Sequence, residues 1–140
     1  MKKGQYLTVE SVFFFAMGVV MTVTIFFTFL GISDNLKKDN MKAQLEKVGE
    51  FVRSNIVSIF LVGNTTNSTI NFEVKIPEQI SGCIYQIIVD NNLEINCTDN
   101  GIGNVLNLYG IKTTIRNRVA YSSSGKLDLS YKDGMIELND

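Results

Sequence analysis

The chain begins with a polar lead that is followed by a long uncharged, apolar run. The lead ends at Glu10, and the run extends from Ser11 to Ile32 without one charged residue. As a helix rising about 1.5 Å per residue, such a run can cross a hydrocarbon core of about 30 Å, which needs roughly 20 apolar residues. The pattern therefore predicts a transmembrane or assembly helix over residues 5–32.

After Ile32 the apolar residues recur mainly at steps of three and four, which predicts an amphipathic helix over residues 33–62. The stripe consists of Leu36, Met41, Leu45, Val48, Val52, Ile56 and Ile59. Such a stripe commonly packs on the helix's own domain, and a partner-binding helix is the alternative. Ser33-Asp34-Asn35 could cap or break the helix, or the two segments could form one continuous rod.

From Gly63 onward, turn-forming residues and a period of two replace the helical spacing, which predicts β-structure over residues 63–140. Ile70, Phe72 and Val74 alternate with polar residues, as in a strand with one buried face. Asp133-Gly134 and Ser122–Gly125 have the residues of hairpin turns. The predicted fold class is α+β, a long N-terminal hydrophobic and amphipathic helix followed by a small antiparallel sheet domain of roughly five to seven strands.

Composition narrows the possible functions of the 140 residues, which carry 13 basic and 14 acidic side chains, no histidine and two cysteines. The basic residues form no block interleaved with aromatics, which argues against nucleic acid as a partner. Without histidine the chain lacks the commonest general base and metal ligand, and two cysteines cannot make a four-thiolate zinc site. We therefore expect no catalytic residues, no metal, no cofactor and no enzymatic activity.

A conventional secretory signal peptide fits the N-terminus poorly, because its apolar core is about 7 to 15 residues long and ends in small residues. This run is longer and ends in Thr-Phe-Leu-Gly-Ile. A count of lysines and arginines alone favours a cytoplasmic C-terminus, although nearby acidic residues weaken that count. The cysteines and glycosylation motifs described next favour the opposite topology.

Cys83 and Cys97 flank two apolar segments that are separated by the turn formers Asp90-Asn91-Asn92. A hairpin about that turn would bring the cysteines within reach of a disulfide, which is our interpretation. Two buried free thiols and a redox pair are the alternatives. A disulfide would imply an oxidising compartment.

Three segments match the N-glycosylation motif, and they begin at Asn64, Asn67 and Asn96. In a chain this rich in Asn, Ser and Thr, chance produces roughly two such matches. Use of any of them would place the domain outside the cytoplasm, and the sequence leaves their use open. Two other segments are interpreted as a loop and a turn. Gly101–Leu106 lacks the third glycine of a dinucleotide loop and a surrounding βαβ unit, and Asp90–Glu94 lacks the spacing and the glycine of an EF-hand.

The lead itself resembles the class III signal peptide of archaeal type IV pilins and pilin-like proteins. The resemblance rests on Lys2-Lys3-Gly4-Gln5, on Thr8-Val9-Glu10 and on the aromatic-rich apolar helix that follows. It implies a leader of residues 1–4, cleavage by a prepilin peptidase between Gly4 and Gln5, and a lollipop-like subunit. The mature helices would bundle into a filament core with the β domains facing outward.

Glu10 is the carboxylate at the N-terminal edge of the apolar run. In a helical bundle it would be buried and would need a cation, which the free amine of a neighbouring subunit's cut N-terminus could supply. Glu10 would then set the axial register of assembly. The alternative is that it marks the aqueous edge of an ordinary anchor.

The expected function is that of a structural subunit of a pilus-like filament, inserted in membrane lipid as a precursor and found at the cell surface after assembly. The main alternative is a permanently anchored single-span protein. Its extracytoplasmic β domain would bind a cell-surface partner or a partner in a secretion or motility machine.

Overall fold

The computed structural model describes residues 3–109, 111, 114–116 and 119–139, with side chains described from Val9 onward except in 114–116. Residues Met1 and Lys2 of the expected leader lie outside this set. The described chain divides into two compact units, Met1–Lys38 and Asp39–Asp140. The elements are a helix α1 and eight strands, and they confirm the predicted α+β class.

Helix α1 spans Lys3–Thr66 and continues through Ser33–Asn35, where the sequence allowed a break. The chain's one proline, Pro77, lies beyond it, so no residue in α1 lacks an N–H donor. The helix also continues past Val62, its expected end. It stops before Asn67, whose φ of 49° is the left-handed conformation common after a helix C-terminus.

Eight strands follow the helix and form two four-stranded sheets. Their bounds are β1 Ile70–Lys75, β2 Tyr85–Val89, β3 Asn92–Cys97, β4 Gly103–Asn107, β5 Thr114–Arg116, β6 Val119–Tyr121, β7 Lys126–Lys132 and β8 Met135–Asn139. The strand order is β1-β7-β8-β5 in the first sheet and β4-β3-β2-β6 in the second. Every pairing in the described chain is antiparallel except β5 with β8, which is parallel.

The sheets depart from the single meander that the alternation suggested. The β7–β8 hairpin forms as expected, with Asp133 at φ 52° and Gly134 at φ 78° in the turn. The expected hairpin at Ser122–Gly125 is wrong, because β6 and β7 belong to different sheets and this 3₁₀ turn connects them. A period of two identifies strands but contains no information about which strand pairs with which.

Within the unit Asp39–Asp140, one face of α1 supplies the centre of the core. Most of the predicted stripe is buried there, namely Leu45, Val52, Ile56 and Ile59, while Leu36 is exposed. Two helical glycines allow close approach to the sheets: a Cβ on Gly49 would overlap Leu106, and one on Gly63 would overlap the Tyr131 ring. The helix therefore packs on the sheets of its own domain, as the stripe predicted.

Two polar side chains hold the connections between the sheets. Ser122 is fully buried; its hydroxyl donates to the Glu78 carbonyl at 2.7 Å and accepts from the Tyr85 N–H at 3.1 Å. The Tyr85 hydroxyl donates to the Pro77 carbonyl at 2.7 Å, and burial raises the pKa of Tyr85 to about 12. Tyr85 is therefore a neutral donor across the physiological range. The stability that its neutral hydroxyl contributes to the fold is lost only as pH rises from about 10 through 12.

Candidate assembly surface

The apolar run of the unit Met1–Lys38 is an uncovered helix surface. The helix that contains it is long and apolar enough to cross a membrane, and none of its most apolar window is buried within the chain. Phenylalanines dominate the surface, with exposed fractions of 61% at Phe13 and 75% at Phe15. Soluble proteins rarely leave contiguous apolar patches of such extent in water. The run is therefore compatible with insertion in a membrane.

Three threonine hydroxyls inside the run are satisfied by the helix itself. The hydroxyls of Thr22, Thr24 and Thr28 each donate to the carbonyl four residues earlier, all at 2.8 Å. Such internal bonds remove the cost of placing a hydroxyl in an apolar environment. The run therefore suits a membrane and a protein core equally.

Glu10 lies in α1 next to the beginning of this run and is exposed. Within the part of the chain whose side chains are described, no cation pairs with it. Gly4 and Gln5 lie in the first residues of α1, and the Gln5 side chain lies outside the described set. The role of Glu10 in assembly and the cleavage site both remain predictions.

The disulfide prediction is confirmed. Cys83 and Cys97 are bonded with their Cα atoms 6.0 Å apart, and the described chain has no free cysteine. The bond forms because β2 and β3 pair about the predicted turn, with Tyr85 opposite Cys97. The bond rules out the alternative of two free thiols in this conformation.

The three glycosylation motifs lie in different environments. Asn64 and Asn67 are exposed near the end of α1, and Asn67 has already left the helix. Asn96 is half-buried in β3 opposite Gly103, and its amide oxygen occupies the space where a Gly103 side chain would begin. The Thr98 hydroxyl of the same motif donates to the Ile84 carbonyl at 2.8 Å. The motifs at Asn64 and Asn67 are thus exposed, whereas the motif at Asn96 is part of the sheet.

The structure shows both loop motifs as turns or connections between strands. Gly101 adopts a positive φ of 66° in the connection before β4, and Asp90–Glu94 forms the β2–β3 turn and the start of β3. Among the described residues no group of three or more His, Cys, Asp or Glu could hold a metal ion.

One surface that the sequence patterns did not reveal lies in the unit Asp39–Asp140. A groove of about 170 Å³ runs between α1 and the edge strand β1, and we call it the helix–strand groove. It is lined by Asn55, Ser58, Ile59, Val62, Ile70 and Phe72. The alternation in β1 predicted a buried Phe72, but this side chain is 49% exposed, whereas Val74 on the same strand is buried.

Comparisons of the chain with protein-family models, curated proteins and solved structures found no match.

Proposed function

We propose that the protein is a structural subunit of an extracellular type IV pilus-like filament, assembled through its N-terminal hydrophobic helix. The observation that carries this proposal is that the two parts of α1 differ in burial. One part of the helix contributes to the core of the β domain, while the run from Ser11 to Ile32 is exposed and is not covered by the residues that the structure describes. A subunit that packs its helix among other copies needs this arrangement.

The route to the filament uses the same helix twice. The precursor inserts the run in membrane lipid, and a prepilin peptidase cuts between Gly4 and Gln5. The run then exchanges lipid for the helices of neighbouring copies, while the β domains face outward. The Cys83–Cys97 bond supports this location, because disulfides persist in oxidising compartments outside the cytoplasm.

In this proposal Glu10 sets the register of assembly. A carboxylate brought into a bundle of apolar helices needs a cation, and the amine of Gln5 in an adjacent processed copy is one. Addition of a subunit out of register would leave this charge buried without a partner, which costs several kcal/mol.

The second candidate function is that of a permanent single-span protein whose outer domain binds a cell-surface, secretion or motility partner. The helix–strand groove favours it, because an exposed apolar groove is a typical docking surface for a partner. In this case the leader is retained and no filament forms.

Intact-mass measurement of the protein purified from its native cell separates the two. A chain that has lost Met1 to Gly4 supports the filament subunit, and an intact chain that stays in the membrane fraction supports the anchor. A Gly4→Val variant is the matched control: it should block cleavage and accumulate the longer form in the membrane, while the β domain retains its disulfide.

A further inference from the structure

Strand β1 is an edge strand whose outer side is open. In its sheet it pairs with β7 alone among the described strands. The Ile76 N–H donates to the Gly125 carbonyl directly opposite, at 3.1 Å. Because hydrogen-bonded and non-hydrogen-bonded pairs alternate along an antiparallel ladder, Val74 also bonds to β7, whereas the backbone groups of Glu73 and Lys75 point away from it. The described chain therefore leaves these groups of β1 without a strand partner.

The edge strand β4 of the second sheet has a covered outer side. The Cys97 N–H donates to the Ile102 carbonyl at 2.8 Å, so the same alternation points the Val105 backbone outward. The Val105 N–H donates to the Asn104 side-chain oxygen at 2.9 Å, which occupies the donor in the middle of that edge. The edge strands β5 and β6 are each three residues long, whereas β1 has six. Among the edges of the described chain, β1 is therefore the one best able to pair with a further strand.

On the solvent face of the sheet, β1 and β7 place like charges opposite each other. Glu73 is opposite Asp128, and Lys75 is opposite Lys126. Like charges at directly opposite positions destabilise a strand pair. The Lys126 ammonium lies 3.5 Å from the Glu73 carboxylate and offsets part of this cost, but both side chains are about half exposed and such a pair contributes little. A strand on the open edge of β1 would balance these charges if it placed a cation opposite Glu73 and a carboxylate opposite Lys75.

We propose that this strand is β1 of a second copy, paired antiparallel across a twofold axis at Val74. Glu73 of each copy then lies opposite Lys75 of the other, so both charge pairs are complementary. These two pairs use the outward backbone groups of both copies, which gives four hydrogen bonds between the strands. The contact is isologous, because the same residues serve on both sides.

The charges also select the register of this pairing. Sliding one strand by two residues keeps the same set of backbone groups facing the partner. In one direction the slide brings Glu73 opposite Glu73 of the other copy, and in the other direction it brings Lys75 opposite Lys75. Both alternatives place like charges together, which is unfavourable. The sequence Glu73-Val74-Lys75 therefore favours the register centred on Val74.

This contact goes beyond the proposed filament and does not depend on it. It uses β1 and leaves the run from Ser11 to Ile32 free to pack among other helices. Copies of one filament repeat through heterologous contacts, so an isologous contact joins copies of two filaments. In the second candidate function the same contact joins two anchored chains. A single strand pair is weak, and many of them along two filaments would add through effective concentration.

The first test changes the charges of β1 in the detergent-solubilised full chain, and sedimentation equilibrium measures association. Glu73→Lys and Lys75→Glu each turn two attractive pairs into two repulsive ones, so each should lower the association constant by at least about tenfold. Lys132→Glu is the matched control: it reverses an exposed charge of β7, away from the open edge, and should associate like the parent. The apolar run is the same in every chain, so association through it is common to all. Parent-like association of the two β1 variants would overturn the inference.

An equimolar mixture of the two β1 variants makes the test specific for this register. Glu73→Lys has two cations at these positions and Lys75→Glu has two carboxylates, so a mixed pair regains both complementary pairs. The mixture should associate about as strongly as the parent, and so should the double variant Glu73→Lys/Lys75→Glu with itself. A mixture that associates as weakly as its components would contradict the pairing.

Hydrogen exchange of the unsubstituted chain covers the case in which a variant fails to fold. The N–H groups of Glu73 and Lys75 should exchange more slowly as the protein concentration rises, while the Val74 N–H, already bonded to β7, should change little. Exchange at positions 73 and 75 that is independent of concentration would overturn the pairing. If the pairing is found and the native cell yields no filament, the proposed function fails and this contact stands.

Discussion

At the residue scale, the two proposed functions give Glu10 different roles. It is exposed, and no described side chain of its own copy pairs with it. At the aqueous edge of an anchor this carboxylate is solvated and dispensable. In a bundle it is buried and must meet a cation, so its removal has different consequences in the two cases.

We predict that Glu10→Ala leaves membrane insertion unchanged and reduces filament assembly by at least about tenfold, because the carboxylate that orders the neighbouring amine is gone. Asp34→Asn removes an exposed carboxylate on the other side of the run and should assemble normally. Electron microscopy counts filaments, and membrane fractionation measures insertion. Normal filaments from Glu10→Ala would refute the register role.

The glycosylation motifs also differ at this scale. The Thr66 hydroxyl that belongs to the Asn64 motif donates to the Val62 carbonyl inside the helix, whereas the Asn67 motif follows the helix end. The Asn96 motif is held by strand pairing and by the Thr98 hydroxyl bond. Of the three, Asn67 is the most open acceptor.

We predict that any glycan on the mature protein is attached to Asn67 in preference to Asn96, because a folded sheet holds the Asn96 motif. Glycopeptide mass spectrometry of the native protein checks this. Asn67→Gln should remove the modification, and the matched Asn96→Gln should leave it unchanged. Full occupancy of Asn96 would show that modification precedes folding or that β3 opens.

At the element scale, the glycines of α1 lie in two different environments. In the unit Asp39–Asp140 its buried glycines accept the sheets at close range, so additional atoms there are harmful. In the unit Met1–Lys38 a Cβ on Gly18 or Gly31 would meet no other atom within 4 Å. Glycine lowers helix stability by about 1 kcal/mol relative to alanine. Close packing therefore explains the glycine at position 63. It does not explain Gly18 and Gly31.

We predict that Gly63→Ala lowers the free energy of unfolding by about 1–3 kcal/mol, because the new methyl overlaps the buried Tyr131 ring. Gly31→Ala should cause no loss, because it adds a methyl in open space. Urea unfolding of the detergent-solubilised full chain, followed through the tyrosine near-ultraviolet signal, measures both. A Gly63→Ala protein as stable as the parent would mean that the helix does not approach β7 this closely.

Much of this element structure follows from the sequence, for physical reasons. The helix, its buried stripe and the β2–β3 and β7–β8 hairpins follow from local periodicity and turn residues, and the Cys83–Cys97 bond follows from the first hairpin. Pairing of β1 with β7 joins strands that are distant in the chain, which local patterns do not encode. The helix–strand groove depends on that pairing, and so does the buried role of Ser122 at the sheet connection.

At the scale of the whole molecule, the proposal assigns assembly to residues that the core of the β domain does not use. The unit Asp39–Asp140 has its own core and a disulfide across 14 residues of sequence, which in the loop-entropy treatment contributes about 3 kcal/mol. The apolar run from Ser11 to Ile32 takes no part in that core. A change in the run can therefore alter insertion and assembly without unfolding the β domain.

The central claim is that the apolar run leaves the lipid and becomes the core of an assembly of copies. Electron cryo-microscopy of cell-surface material from the native cell tests it most directly. The account predicts filaments in which residues 11–32 of neighbouring copies pack together at the axis, with chains that begin at Gln5 and β domains outside. Recovery of the chain only as a lipid-embedded protein that still begins at Met1, with no filament, would contradict it.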